Sequence, residues 1–396
     1  MRTGPLRGIK AIEIGGLGPA PFASMLLSDL GADVLRVERP DKKPPVDILG
    51  EGAESADGVV ENPAAFDYLS RGRLSIAVDL KSADGAALIS RLAGDADVFI
   101  EGFRPGVAER LGIGPDDLRG ANPRLVYGRM TGWGRSGPLA DQPGHDINYL
   151  SVSGVLGHIG RENQPPTPPI NLVADFGGGG MMLVMGICAA LVERAASGEG
   201  QVVDAAMVDG SALLMTPIFG ASATGFWNDA RGTNLLDSGA PYYDCYECRD
   251  GGYVAVGAIE PQFYAALLDG LGLAGDATVP DQNDGMRWPE LRGRFAESFL
   301  SRTRDEWAEH FDGKGACVTP VLTMSEAVDD DHMRAWGTFV EVDGATQPGP
   351  APRFSRTAAH IDLPPQTAGA NTDEALAGWG IDAAEIGRLR DGGAIA

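Results

Sequence analysis

The chain has 396 residues, 43% hydrophobic and 22% charged, with a formal net charge of −23 from 55 acids and 32 bases. This length and composition exclude a disordered chain and allow about two or three domains with substantial cores. So acidic a surface repels nucleic acid and anionic membranes, and the four cysteines are too few for a disulfide framework.

In chain order, residues 9–14 form an apolar run suited to a buried strand, followed by Gly15-Gly-Leu-Gly-Pro-Ala-Pro21, which reads as a tight loop. Apolar residues at helical spacing over 22–30, closed by Gly31, predict a helix, and 33–37 a second strand. The pattern recurs with strands at 74–78, 97–100 and 125–129 and a helix at 84–92, so a parallel sheet with helices on both faces is expected. Residues 161–170 carry four prolines and read as a crossing loop, and 176–194 read as a helix opening with four glycines. Its most apolar part, 181–192, is too short to span a bilayer. A linker is expected at 210–236, then a smaller α+β unit with a hairpin at 242–256 and helices at 262–271 and 288–301. A Pro- and Ala-rich tail is expected to return to the first unit. No N-terminal stretch joins basic residues to an apolar run, so a reduced, cytoplasmic setting is the default expectation.

Several residues carry chemical possibilities. Gly16-x-Gly18 followed by Glu38 matches part of a dinucleotide fingerprint, but Pro21 occupies the third glycine position, so a nicotinamide cofactor is not favoured. Cys245 and Cys248 have redox-pair spacing but sit in the expected hairpin with no histidine nearby; no metal is expected. Arg39, Arg71, Arg73, Arg104 and Arg110 fall near strand ends and loops of an otherwise acidic chain, where guanidinium forks suit phosphate oxygens. Taken alone they are equally ordinary surface arginines. His145 is followed directly by Asp146, and Asp175 precedes the four glycines. Asp175 can be a helix N-cap or a carboxylate facing whatever ligand those glycines admit.

The motifs as a set resemble the family III coenzyme A transferases (the CaiB/BaiF superfamily) and, within them, the α-methylacyl-CoA racemase branch. They include Pro5-Leu-Arg-Gly-Ile-Lys-Ala-Ile-Glu13, Ser28-Asp-Leu-Gly-Ala-Asp-Val-Leu-Arg-Val-Glu-Arg-Pro40 and Glu101-Gly-Phe-Arg-Pro-Gly106. Gly144-His-Asp-Ile-Asn-Tyr149, Leu172-Val-Ala-Asp-Phe-Gly177 and Gly257-Ala-Ile-Glu-Pro-Gln-Phe-Tyr264 follow. The resemblance implies a Rossmann-like large α/β domain made of both chain ends, a smaller α+β domain, and an interlocked homodimer. The boundaries it suggests are 1–209, a linker at 210–236, a small domain at 237–329 and a C-terminal return at 330–396. It implies an acyl-CoA substrate, no separate cofactor, His145 and Asp175 as two bases, and Glu260 as the carboxylate partner of His145. CoA would lie against Arg39, Arg104 and Arg110.

The activity implied is inversion of the α-carbon of 2-methylacyl-CoA thioesters through an enolate. The first alternative is a CoA transferase using Asp146 as nucleophile, the role that position has in the transferase branch. The second is a non-catalytic acyl-CoA binder. The stretch 47–62 carries no readable motif and is expected to influence the mouth of the CoA site.

Overall fold

The computed structural model describes residues 3–40, 54–55, 58–59 and 63–396. Two compact units emerge, one of Met1–Ser153, Ile170–Leu214 and Trp336–Ala396, the other of Gly154–Pro169 and Met215–Ala335. The larger unit is built on six strands in the order Leu74–Ala77, Asp33–Glu38, Lys10–Ile14, Val98–Glu101, Val126–Thr131, Val202–Ala206. Every neighbouring pair is parallel. Their near-continuous apolar runs are what a parallel sheet covered on both faces requires. Ile12, Val37, Ile76, Phe99 and Tyr127 form its core with Leu88, Leu92 and the tail residues Trp379 and Ile395. The tail is tied in through Gly72 N–H to Leu363 O at 2.8 Å and Asn371 N–H to Ser75 O at 3.0 Å.

The strand order reverses at Lys10–Ile14, from which the chain builds outward first on one side and then on the other. In open α/β sheets the crevice beyond the strands' carboxyl ends at such a reversal is where ligands bind. The loops Gly15–Gly18 and Gly102–Gly106 leave the two strands flanking it.

Several expectations need correction. The loop assigned to Gly15–Pro21 ends earlier, because the helix runs Pro19–Asp29 and takes both prolines into its first turn. The strand Val202–Ala206 was not singled out as an element; Asp204 interrupts its apolar run. The proposed linker at 210–236 instead contains the end of helix Met207–Leu214 and all of Thr216–Ala223. The proline-rich 161–169 stretch groups with the smaller unit rather than the large one.

The expected helix at 176–194 begins sooner, as a wide π-turn over Leu172–Met181 that continues as Met182–Ser197. The combined 26 residues, with an 18-residue window of mean hydropathy 1.6, are long and apolar enough by length and composition to cross a membrane, which corrects the shorter expectation. One face packs inward, with Leu183, Ile187 and Ala190 buried and Arg194 paired to Asp97 at 2.8 Å, while Met181, Met185 and Val192 are exposed. Of the stretch 47–62, only the short antiparallel pair Glu54–Ser55 and Gly58–Val59 is described, so its effect on a CoA site lies outside the described residues.

The smaller unit carries an antiparallel sheet of Tyr243–Glu247, Tyr253–Gly257 and Val318–Pro320. The helices Pro261–Gly270, Trp288–Phe299 and Arg304–Phe311 cover it over a core of Tyr246, Phe295, Phe299 and Trp307. The expected hairpin is present. Within it Cys245 is exposed and Cys248 buried, both as free thiols.

Candidate active site

Asp175 lies in the first turn of the wide helix, where a carboxylate is expected to cap free N–H groups. It does not. Its own N–H and that of Ala174 donate instead to Asp146 Oδ2, at 2.9 and 2.7 Å. Asp146 is buried and opens the helix Asp146–Val152, immediately after His145. This one carboxylate therefore ties the His145 segment to the Asp175 segment, 29 residues further on. His145 is exposed, and its N–H donates to Asn148 Oδ1 at 3.0 Å. Tyr149, on the same helix, packs edge-on against Trp133 and donates to Gly144 O at 2.6 Å, which fixes the approach to His145 from behind.

The Asp175 carboxylate is half-buried and receives Asn171 Nδ2 at 3.1 Å, one helical turn earlier. Burial raises its pKa above the usual carboxylate range; the Asn171 bond opposes that, the Asp146 charge adds to it, and His145 opposes it. His145 and Asp175 are therefore within electrostatic reach of each other. A half-buried carboxyl with a raised pKa can hold or release a proton nearer neutrality than a free aspartate.

Gly178, Gly179 and Gly180, three of the four glycines, answer to close packing against neighbouring helices. A Cβ at Gly178 would sit 2.7 Å from Ser211 N, and one at Gly180 would sit 2.7 Å from the Phe22 ring. The wide helix is thus pressed against Met207–Leu214 on one side and Pro19–Asp29 on the other. The expectation that these glycines admit a ligand to Asp175 is corrected accordingly.

The arginines separate into two groups. Arg71 is buried against Asp29 at 2.6 Å and Gln347 at 2.9 Å, and Arg73 is fully buried against Glu13 and the Pro21 carbonyl. Neither is available to a phosphate. Arg39, Arg104 and Arg110 are exposed, just beyond Asp33–Glu38 and Val98–Glu101 in the chain. No carboxylate among the described residues pairs with them. Gly106, at φ +78°, leaves room for the Arg110 guanidinium, which would lie 3.2 Å from a Cβ there. Glu38, the ribose acid of the dinucleotide alternative, is instead buried against Arg36 at 3.1 Å and Ser75 at 2.6 Å. Glu260 is exposed at the start of Pro261–Gly270 in the smaller unit. Among the described residues, no group of three or more His, Cys, Asp or Glu could hold a metal ion.

Sequence reasoning missed Asn171, although its four-residue lead on Asp175 was visible and places the two on one helical face. It also missed the clamp by Asp146, which no spacing announces.

CoA-transferase family III matches residues 6–372, and the chain belongs to that family. It is 45% identical to mouse alpha-methylacyl-CoA racemase and 43% identical to the human protein of that name, each over 97% of this chain and 96% of the relative. The fold is similar to that of a CaiB/BaiF family protein from Brucella suis, with a TM-score of 0.82 at 24% identity, covering 96% of this chain and 100% of that one.

Proposed function

We propose that this chain inverts the α-carbon of 2-methylacyl-CoA thioesters by two-base proton transfer, with His145 and Asp175 as the bases. The observation that carries this reading is the contrast between neighbouring aspartates. Asp175 presents a carboxyl of raised pKa within electrostatic reach of His145, whereas Asp146, the transferase nucleophile by resemblance, spends Oδ2 on two backbone N–H groups inside the fold. The racemase names of the 45% and 43% identical relatives support the same choice.

The thioester α-proton is weakly acidic, so one base must take it while the enolate is stabilised, and an acid on the opposite face must return one. Each group serves as base for one enantiomer and acid for the other. Glu260 is assigned as the partner of His145 on the family resemblance, and Arg39, Arg104 and Arg110 are assigned to the CoA phosphates and adenine. A cytoplasmic setting, no separate cofactor and an interlocked homodimer belong to this reading. The exposed Met181, Met185 and Val192 form an apolar stripe along the long helix that a second copy would cover.

The test is proton NMR of separate (2R) and (2S) 2-methylacyl-CoA esters with the protein in deuterated water. Wild type should exchange and invert both. His145→Ala and Asp175→Asn should each lose inversion in both directions by about 10²–10⁴-fold, the usual worth of a general acid–base group. Each should retain exchange on opposite enantiomers. Normal racemisation by Asp175→Asn removes the two-base mechanism. A hydroxylamine-trappable intermediate with a free-acid acceptor would establish the transferase instead, and binding without any deuterium uptake would leave only an acyl-CoA binder.

A further inference from the structure

The helix Pro19–Asp29 begins against the Asp175 carboxylate. Gly18, at φ +68°, flanks its start, and a Cβ at Gly18 would lie 3.5 Å from Asp175 Oδ2. Both sides hold this approach. The rings of Phe22 and Phe176 are 4.8 Å apart, and a Cβ at Gly179 would lie 3.3 Å from Pro19 Cβ.

A helix start ordinarily offers unpaired N–H groups and the positive end of its dipole, and a carboxylate there is held ionised. This start is different. Its first three residues are Pro19, Ala20 and Pro21, and the Phe22 N–H already donates to Gly18 O at 3.1 Å. Two of the three N–H groups that could reach a carboxylate are therefore missing. Among the described residues, the hydrogen bond that the Asp175 carboxylate accepts comes from Asn171. Proline is favoured at the first helical position in any case, which accounts for Pro19 but not for Pro21.

We propose that Pro19 and Pro21 are positioning residues for proton transfer at Asp175, letting a helix start press on the carboxylate while withholding the N–H groups that would hold it ionised. The inference rests on the two-base reading above. The raised pKa of Asp175 is consistent with it. The charges acting on that carboxylate are Asp146 and His145, and Tyr149 feels Asp175 in turn. Asp29, Arg129, Glu193, Arg194, Asp204 and Asp209 are the charged groups on the other elements packed against the wide helix.

The experiment is the pH profile of kcat/KM for deuterium exchange of the enantiomer that Asp175 deprotonates. The full chain is compared with Pro19→Ala, Pro21→Ala and Asn171→Ala. An alanine restores an N–H, so at least one proline variant should move the acid limb down by about one pH unit, the scale of one charge-assisted hydrogen bond. Asn171→Ala removes a donor and should move the limb up. A limb unmoved in both proline variants, whatever their rates, overturns the proposal. Carbon-13 titration of the aspartate carboxyls, with Asp175→Asn to assign the signal, reads the same shift without turnover. If wild type exchanges no 2-methylacyl-CoA, the functional reading fails while this titration still decides the role of the prolines.

Discussion

Two sets of charged groups in the larger unit differ in what surrounds them. Glu13, Arg36, Glu38 and Arg73 sit on or beside the first strands, none more than 4% exposed, and each is paired within the set. Burial still pushes the Glu13 carboxyl up, with Arg73 as the main force opposing it. The second set is Asp175 with His145 and the edge arginines Arg39, Arg104 and Arg110. It is half-buried or exposed, and Asp175 is met by a neutral amide rather than a cation. The difference teaches that charge in this fold is not itself a sign of chemistry. Where partners close the charges, the group is architecture; where one side is left open, it is available to a substrate.

The sharpest way to break this comparison is inside the closed set. Arg73→Met strands Glu13 in a fully buried place and should cost about 3–5 kcal/mol of stability, the usual result of removing one partner of a buried pair. The double variant Arg73→Met with Glu13→Gln should recover part of it. Thermal unfolding measures both. Exchange activity should follow only the folded fraction, and a loss of activity in fully folded Arg73→Met would place Arg73 in the site after all.

How much of this was legible in the sequence depends on whether a neighbour along the chain or one across space decides the outcome. The strands at Lys10–Ile14, Asp33–Glu38 and Val98–Glu101 were readable because burial on both faces leaves near-continuous apolar runs. The helix start was misread because two prolines in three residues ordinarily mark a loop, and only the packed Gly18 flank shows that they open Pro19–Asp29. The glycine run was rightly taken as a close approach, but spacing cannot say whether a ligand or another helix does the approaching, and Gly210 and Ser211 turned out to fill that place. Arg71 and Arg73 looked the same as Arg39 in sequence, because their partners Asp29 and Glu13 lie 42 and 60 residues away. His145 and Asp175 were found through the family motifs. The Asp146 clamp joining their segments is long-range and was invisible.

The open set is tested next. Arg39→Ala and Arg110→Ala each remove an exposed guanidinium, so stability should hardly change. Loss of a charge-assisted phosphate contact should weaken CoA-ester binding by about 1.5–3 kcal/mol. That would appear as a raised KM with kcat much less affected. Unchanged KM in both variants would reduce these arginines to ordinary surface and erase half of the contrast.

The smallest effect is the most diagnostic of how Asp175 is held. Its folded pKa is raised above the 3.8 of a free aspartate carboxyl, with burial as the largest cause. A carboxyl raised on folding binds its proton more tightly in the folded state, so the ionised form is a burden on stability at any pH above the folded pKa. Below 3.8 the group is protonated in both states and the burden is gone. Asp175→Asn removes the charge while keeping an oxygen that can accept the Asn171 hydrogen bond. The variant should therefore unfold at a slightly higher temperature than wild type at neutral pH. This advantage should shrink as pH falls through the folded pKa and vanish near 3.8. The closed set provides the contrast: burial raises the Glu13 pKa as well, but Glu13→Gln strands the fully buried Arg73 guanidinium and should lower stability at neutral pH rather than raise it. Paired melting curves from pH 3 to pH 8 separate the cases. If Asp175→Asn is less stable than wild type at neutral pH, its carboxylate is held by partners as firmly as Glu13, and the distinction between closed and open charges fails at the residue where it matters most.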